Sequence, residues 1–288
     1  MLFRSAVVLR LPKPRREQEM ALHQVLAVTR AGGDVYVYGG NDEGIRSFQK
    51  TFSSLVAAPE TVAARGHGRV LMGRRDERPV RGRLEDWIER SSIVLLGRDE
   101  PWVSYPGLFA AGALDPGTAL LLEAMASMKP RGRVLDYGCG PGAIARALSA
   151  RAPEIDVTLV DNDSMALVAA AQNVPGGRTV LADTPALLPS GVTFDMIVSN
   201  PPLHTGVKED HGALAALVSD ARSRLTGDGM LWMVVQRRVP CQALLDEAFG
   251  EVAIASDDGS YRVWRAALPK PRGTVKAAGR TARRPRAM

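Results

Sequence analysis

A glycine-rich segment at residues 134–142, VLDYGCGPG, has the residue types and spacing of a ligand-binding loop. An apolar run ends in Asp136, and alternate glycines follow it, Gly138, Gly140 and Gly142. Glycines let the chain turn tightly and let a ligand approach the backbone, because they carry no Cβ. The spacing D-x-G-x-G-x-G differs from the G-x-G-x-x-G of dinucleotide sites, and its acid would repel a diphosphate. A ligand with a cationic group is favoured, so we predict S-adenosylmethionine rather than NAD.

Two later polar segments extend this prediction. The run TLVDND places Asp161 at the tip of the next strand-like segment, with Asn162 beside it. A carboxylate there can accept both hydroxyls of a ribose, although folds that bind NAD use the same feature. The run VLAD ends in Asp183, which can meet an adenine amine or cap a helix before Thr184. We expect Asp161, Asn162 and Asp183 to contact the cofactor.

The segment FDMIVSNPPLH, residues 194–204, places an amide and a rigid turn after an apolar run. Asn200 falls just past this run, where ligands of open α/β sheets bind. An amine on an aromatic ring is a poor nucleophile, because its lone pair is delocalised. The Asn200 side-chain oxygen and the Pro201 carbonyl could hold both amine hydrogens, orient the nitrogen and stabilise its developing charge. We predict that both residues are catalytic without a metal, although Asn-Pro-Pro also occurs in ordinary turns.

Strand-like and helical patterns alternate regularly in the second part of the chain. We predict strands at 133–137, 157–160, 179–182, 194–199 and 230–235, helices at 142–151, 164–173, 212–225 and 241–249, and a closing hairpin of 251–256 and 261–268. This order predicts a doubly wound, seven-stranded α/β sheet whose last strand is antiparallel and lies at an edge.

The first hundred residues predict a smaller α/β unit with no ligand loop of its own. We predict strands at 6–11 and 34–38, helices at 18–29 and 44–54, and a helix–strand pair at 87–96. Seven arginines within 65–83 indicate an exposed segment. The turn-rich run GRDEPWVSYPG is interpreted as a link between domains at 1–100 and 101–268, with a basic tail at 269–288.

The net charge of +6 is distributed unevenly along the chain. Residues 1–100 carry 17 basic and 13 acidic side chains, residues 101–268 carry 13 and 18, and residues 269–288 carry seven and none. A polyanion would therefore meet the first domain and the tail, which favours a nucleic-acid partner. The tail is also typical of a solubilising disordered end.

The composition argues against several classes of protein. No window approaches 18 uncharged apolar residues, so no membrane span is expected. Two cysteines and four histidines do not cluster as metal ligands, and no metal or disulfide is expected. The first sixteen residues are basic, as in an organellar presequence, but residues 6–11 fit a buried strand of the first domain. We expect a cytoplasmic monomer.

Taken together, these segments resemble the bacterial two-domain guanine-N2 ribosomal RNA methyltransferases, a class I family. That family shares Asn-Pro-Pro-Phe-His, and this chain has Asn-Pro-Pro-Leu-His at 200–204. The segment PGLFAAGALDPGTALLLEAM is similar to the lead into the family's cofactor loop. RLPKPRREQEMAL and GGDVYVYGGNDEGIRS are similar to its N-terminal domain, and YRVWRA to its closing strand. The resemblance covers nearly the whole chain except the tail.

The resemblance implies methyl transfer from S-adenosylmethionine to guanine N2 in ribosomal RNA or a ribosomal subunit. It also implies that the first domain is a degenerate methyltransferase copy that binds RNA, and that Pro202, Leu203 and His204 contact the substrate. Leu203 departs from the family's Phe, whose stacking on a base is worth about 1–3 kcal/mol. A leucine packs on a purine with less attraction.

Two other functions remain open from the residues alone. One is methylation of a different amine, in adenine or a protein glutamine, because those enzymes share Asn-Pro-Pro. The other is a non-catalytic RNA-binding or ribosome-assembly factor, which Leu203 favours. The intact glycine loop, Asp161 and Asn200 favour an enzyme.

Overall fold

A computed structural model describes residues 4–201, 204–205, 208–209 and 211–270 of the chain. Two residues predicted to contact the substrate, Pro202 and Leu203, lie outside the described residues, as do positions 271–288 of the predicted tail. Within the described ranges, no helix is long and apolar enough to cross a membrane.

The first part of the chain forms a four-stranded sheet with two helices packed on one face. Its elements are β1 (Arg4–Arg10), α1 (Arg15–Val28), β2 (Thr29–Gly40), α2 (Ile45–Leu55), β3 (Ala57–Arg65) and β4 (Gly68–Arg74). The strand order is β1-β2-β4-β3, with β1 parallel to β2 and the other neighbours antiparallel. Both helices bury apolar side chains against alternate strand residues, among them Val35, Val37 and Leu71.

The prediction that residues 65–83 are simply exposed is wrong for β4. Leu71 is 1% exposed, because it faces α2 from the centre of a strand that pairs on both sides. The arginines around this short strand make the segment look polar in the sequence, so the strand was not predicted. The neighbouring strand, β3, was not predicted either, because it is an edge strand of mostly small, exposed side chains with no alternation of buried and exposed residues.

A β-hairpin joins the two parts of the chain and consists of β5 (Glu89–Leu95) and β6 (Arg98–Ser104). Residues 97–107 were interpreted as turn-rich, and this is wrong because residues 98–104 form a strand. The hairpin turns at Leu96 and Gly97, which both have positive φ, at 51° and 77°. Such two-residue turns usually contain asparagine, aspartate or glycine, so a leucine there gives little warning of a hairpin. The helix predicted at Trp87 is a single 3₁₀ turn, Leu84–Trp87.

The second part forms the seven-stranded sheet that the sequence predicts. After a 3₁₀ turn, its elements are α3 (Pro116–Ala124), β7 (Arg133–Tyr137), α4 (Ala143–Arg151), β8 (Asp156–Asp161), α5 (Ser164–Asn173), β9 (Arg178–Leu181), β10 (Phe194–Ser199), β11 (His204–Thr205), β12 (Lys208–Glu209), α6 (His211–Arg224), β13 (Leu225–Gln236), α7 (Gln242–Ala248), β14 (Phe249–Asp257) and β15 (Tyr261–Pro269). The order is β14-β15-β13-β10-β7-β8-β9, while β11 and β12 form a separate pair. Two apolar clusters fill the two faces of the large sheet.

The last strand is antiparallel, as predicted, but it does not lie at the edge of the sheet. β15 pairs antiparallel with β13 on one side and with β14 on the other. The β14–β15 hairpin folds back into the sheet, so its second strand is interior and its first strand forms the edge. The strand also extends to Pro269, the first residue of the predicted tail.

The two parts of the chain pack against each other through α1, α5 and the hairpin. Met20 and Trp87 from the first part share an apolar cluster with Ala166 and Ala169 of α5. The buried Asn173, at the end of α5, accepts a hydrogen bond from the Val103 amide at 2.8 Å and donates to the Val103 carbonyl at 2.9 Å.

Candidate functional site

Four neighbouring strands bring the predicted site residues to one edge of the large sheet. The register pairs Val198 with Asp136, Tyr137 with Val160, and Asp161 with Leu181. Asn200, the glycine loop, Asp161 and Asp183 therefore follow the carboxyl ends of β10, β7, β8 and β9 in spatial order. Neighbouring strands are about 4.8 Å apart, so these groups span about 14 Å. That length suits an extended nucleoside with a reacting partner at one end.

The three loop glycines all have left-handed φ, but they serve different purposes. Their φ values are 69° at Gly138, 51° at Gly140 and 93° at Gly142. A Cβ on Gly142 would lie 2.8 Å from Val174 Cγ2, so this glycine lets the loop pack against the neighbouring elements. A Cβ on Gly140 would meet nothing within 4 Å. The open space at Gly140 leaves the backbone accessible to a ligand.

Asp136 is a buried carboxylate with one unused oxygen. The residue is 0% exposed, and its Oδ2 accepts a hydrogen bond from the Ala145 amide at 3.0 Å. Its Oδ1 has no partner among the described residues. Burial raises the pKa of this carboxyl to about 7, and the nearby Asp161 adds to the rise. An ammonium group, reached directly or through water, would complete this site.

Asp161 holds the glycine loop in place. Its Oδ2 accepts from the Gly140 amide at 2.8 Å, and its Oδ1 accepts from the Asp163 amide at 2.9 Å. Each carboxylate oxygen has a second lone pair, so both can still accept a hydroxyl. Asn162 is exposed beside it, and Asp183 is exposed after β9.

Asn200 is held in one orientation by two residues that the sequence analysis did not select. Its Nδ2 donates to Asp115 Oδ2 at 2.7 Å and to Thr118 Oγ1 at 2.9 Å. Asp115 also caps α3, because the same Oδ2 accepts from the Thr118 amide at 2.8 Å. A carboxylate oxygen can only accept, so it requires the nitrogen of Asn200 on that side. The Asn200 oxygen is thereby left as an acceptor on the other side, where it makes no hydrogen bond within the described residues.

A sequence signal for Asp115 existed, but it indicated a different role. Aspartate followed by Pro116 is typical of a helix start, and α3 does begin there. The contact with Asn200 joins residues 85 positions apart, and no spacing rule predicts it.

The remaining predicted substrate residues are only partly described. Ser199 Oγ donates to the Tyr137 carbonyl at 2.7 Å, which joins the ends of β10 and β7 directly before Asn200. Pro201 follows and is half-buried. The backbone of His204 pairs with Glu209 in the β11–β12 pair, while its side chain lies outside the description. The prediction that the Pro201 carbonyl is an acceptor for the substrate stays a prediction.

Comparison with known proteins gives matches over both parts of the chain. Residues 101–265 match the methyltransferase small domain, and residues 4–91 match the methyltransferase small domain N-terminal region. The chain is 33% identical over 266 residues to ribosomal RNA small subunit methyltransferase C of Pseudomonas entomophila, covering 91% of this chain and 79% of that one. For the protein of the same name from Pectobacterium atrosepticum, identity is 32%, with coverage of 92% and 75%.

A solved structure resembles nearly the whole fold. It is the T. thermophilus 16S rRNA N2 G1207 methyltransferase in complex with AdoMet and guanosine. The TM-score is 0.82 and the identity 26%, with coverage of 92% of this chain and 73% of that one. The likeness includes both domains, so the arrangement of the two parts is shared as well as the large sheet.

Proposed function

Because the chain belongs to the methyltransferase small domain family, we propose that it transfers a methyl group from S-adenosylmethionine to the exocyclic N2 amine of a guanine in small-subunit ribosomal RNA. The fixed orientation of the Asn200 amide carries this proposal, because it presents an acceptor to an NH₂ group. We infer that its target is the guanine that corresponds to G1207, the 16S rRNA nucleotide named for the T. thermophilus protein. Such a substrate implies a cytoplasmic enzyme.

The residues at the sheet edge fit S-adenosylmethionine. We assign the ammonium of its methionine moiety to the unused Oδ1 of Asp136, and its backbone contacts to the open space at Gly140. Asp161 and Asn162 suit the ribose, and Asp183 suits the adenine. When bound, the cofactor supplies a methyl group on a sulfonium, which is electrophilic without any metal.

Asn200 and Pro201 prepare the amine for attack. The Asn200 oxygen accepts one N2 hydrogen and the Pro201 carbonyl accepts the other, which turns the nitrogen lone pair toward the methyl carbon. As the new N–C bond forms, the S–C bond breaks and positive charge grows on nitrogen. The two oxygens stabilise this charge, because both carry negative partial charge in a fixed position. The sulfur leaves as a neutral thioether, and one N2 proton passes to solvent water, which yields neutral N2-methylguanine.

The test uses small-subunit rRNA from cells that lack the gene. Methylation is mapped by mass spectrometry after incubation with the wild-type protein and with Asn200→Ala. We expect a single N2-methylguanine from the wild type and a loss of about 10²–10³-fold in rate for the variant. Calorimetry should give the same cofactor affinity for both. Methylation of an adenine or of protein, or an unchanged rate in Asn200→Ala, would contradict the proposal.

A further inference from the structure

The sheet of the first domain leaves one face open to solvent. Helices α1 and α2 cover the face that carries Val35, Val37 and Leu71. On the opposite face, Val8 is 67% exposed and Tyr38 is 42% exposed. An accessible apolar and aromatic sheet face of this kind usually marks an interaction site.

The strand register places aromatic and apolar side chains side by side on this open face. Tyr36 of β2 lies between Val8 of β1 and Met72 of β4, and Tyr38 lies between Arg10 and Val70. Residues directly opposite each other on neighbouring strands point to the same side of a sheet. The two tyrosines, two residues apart on an interior strand, therefore share one surface.

Beyond Tyr38, this face ends in a hollow of about 370 Å³. Gly40 and Gly68 pair across β2 and β4 and form part of its floor. A Cβ on Gly68 would approach no atom closer than 3.6 Å, so the backbone there is accessible to a flat group. The hollow is therefore a shallow slot with an aromatic ring at one side.

The rim of this slot is cationic. Arg65 borders it on the open face, and no ion pair of its guanidinium occurs within the described part of the chain. Arg69 also borders it, but alternation along β4 puts its side chain on the same face as Leu71, which the helices cover. Arg10 also borders it and is paired with Glu43 at 2.6 Å. An unpaired guanidinium beside an exposed tyrosine matches an unpaired nucleotide, since its phosphate is anionic and its base has a stacking face.

We propose that this open face binds a single-stranded segment of RNA, with one base stacked on Tyr38 over the glycine floor and a flanking phosphate held by Arg65. The identity of this RNA as part of the ribosomal substrate rests on the proposed function. A second copy of the chain fits the face less well, because a two-fold interface would bring the same arginines toward each other. The face binds substrate outside the catalytic pocket, so it sets affinity for RNA and not the chemical step.

The experiment measures binding of the full chain to a fluorescein-labelled decauridylate, together with the KM for small-subunit rRNA. Tyr38→Leu keeps much of the side-chain volume but removes the stacking face. The Kd for decauridylate and the KM for rRNA should therefore both rise about tenfold. Tyr38→Phe keeps the ring and should behave as the wild type. Arg65→Ala should reduce the slope of log affinity against log salt by about 0.7, for one lost phosphate. Lys50→Ala removes the same charge from α2, on the covered side, and is the matched control.

The readouts separate this proposal from the proposed function. Cofactor affinity by calorimetry, rate at saturating RNA and thermal midpoint should stay unchanged in Tyr38→Leu. Wild-type RNA affinity in both test variants would overturn the binding face, even if the protein methylates guanine. Dissociation of a wild-type dimer by these variants in sedimentation would also overturn it in favour of a contact between copies. A wild type that binds decauridylate through Tyr38 but methylates no guanine would leave the face intact and remove the proposed function.

Discussion

Removal of the Asp115 carboxylate should disable Asn200 without touching the substrate directly. In Asp115→Ala, the Asn200 amide loses its charge-assisted bond of 2.7 Å and keeps only the 2.9 Å bond to Thr118. A hydrogen bond to a charged group contributes about 1.5–3 kcal/mol. If that energy holds the acceptor toward the substrate, its loss lowers the methyl-transfer rate about 10- to 150-fold. The lost helix cap costs about 1 kcal/mol of stability as well, or about 2–4 °C in thermal midpoint.

Asp115→Asn separates the charge from the geometry. The Thr118 amide still requires an acceptor, so the new amide oxygen takes the place of Oδ2 and continues to accept from Asn200. Only the charge is lost, at about 1 kcal/mol, and the rate should fall about fivefold. Thr118→Val removes the hydroxyl acceptor but keeps the backbone amide, so its methyl-transfer rate should lie between those of the wild type and Asp115→Ala.

The assay is single-turnover methylation with labelled cofactor at saturating RNA, which avoids contributions from product release. Cofactor affinity is measured separately by calorimetry and should stay within twofold of wild type. If folded Asp115→Ala transfers methyl at the wild-type rate, the orientation of Asn200 is set by something other than Asp115. Equal losses in Asp115→Asn and Asp115→Ala would refute the argument that an acceptor in that place is sufficient.

Three further predictions concern the cofactor side of the site. Burial raises the pKa of Asp136 from 3.8 to about 7, so the folded protein keeps a proton that the unfolded chain loses, and the free energy of unfolding should fall as pH rises from about 4 to 7. A cationic cofactor favours the ionised carboxylate, so the affinity for the cofactor should rise over pH 6–7.5. In Asp136→Asn, the free energy of unfolding from chemical denaturation and the cofactor affinity from calorimetry should both lose this pH dependence. Gly140→Ala should weaken cofactor binding in calorimetry with a small loss of thermal midpoint. Gly142→Ala should lower the thermal midpoint more, because its Cβ meets Val174 at 2.8 Å. A larger loss of thermal midpoint in Gly140→Ala than in Gly142→Ala by scanning fluorimetry would contradict these roles. Asn173→Ala should lower the midpoint and weaken cofactor binding together, since three hydrogen bonds of its side chain are lost; an unchanged cofactor affinity would show that the loop does not depend on them.

The sequence predicts the second sheet well because its elements have clear local boundaries. β7 and β10 match their predicted bounds, since each is an apolar run bounded by polar or turn-forming residues. α5 begins after Asp163, whose side chain caps the helix by accepting from the Met165 amide. Open α/β sheets place ligands at the carboxyl ends of strands, so the position of Asn200 beside the glycine loop also follows from the sequence.

The errors arise where structure depends on distant partners. β6 forms because it pairs with β5, and its turn at Leu96 carries no usual turn signal. The interior position of β15 depends on β13, about thirty residues earlier, and alternation of side chains does not reveal which strand will be the neighbour. Asp115 gives a clear helix-start signal, but its role at Asn200 requires the three-dimensional contact.

The amide of Asn173 has a consequence for how this protein can be divided. Its Nδ2 donates to the Pro141 carbonyl in the glycine loop at 3.0 Å as well as to Val103 in the hairpin. A single side chain thus connects the glycine loop to a strand that lies outside the large sheet. A cut at residue 100 would divide that hairpin and remove the hydrogen bonds between Asn173 and Val103. The second domain is therefore not expected to keep its loop geometry when it is separated at this point. Grafts and truncations should keep residues 89–104 with the catalytic half.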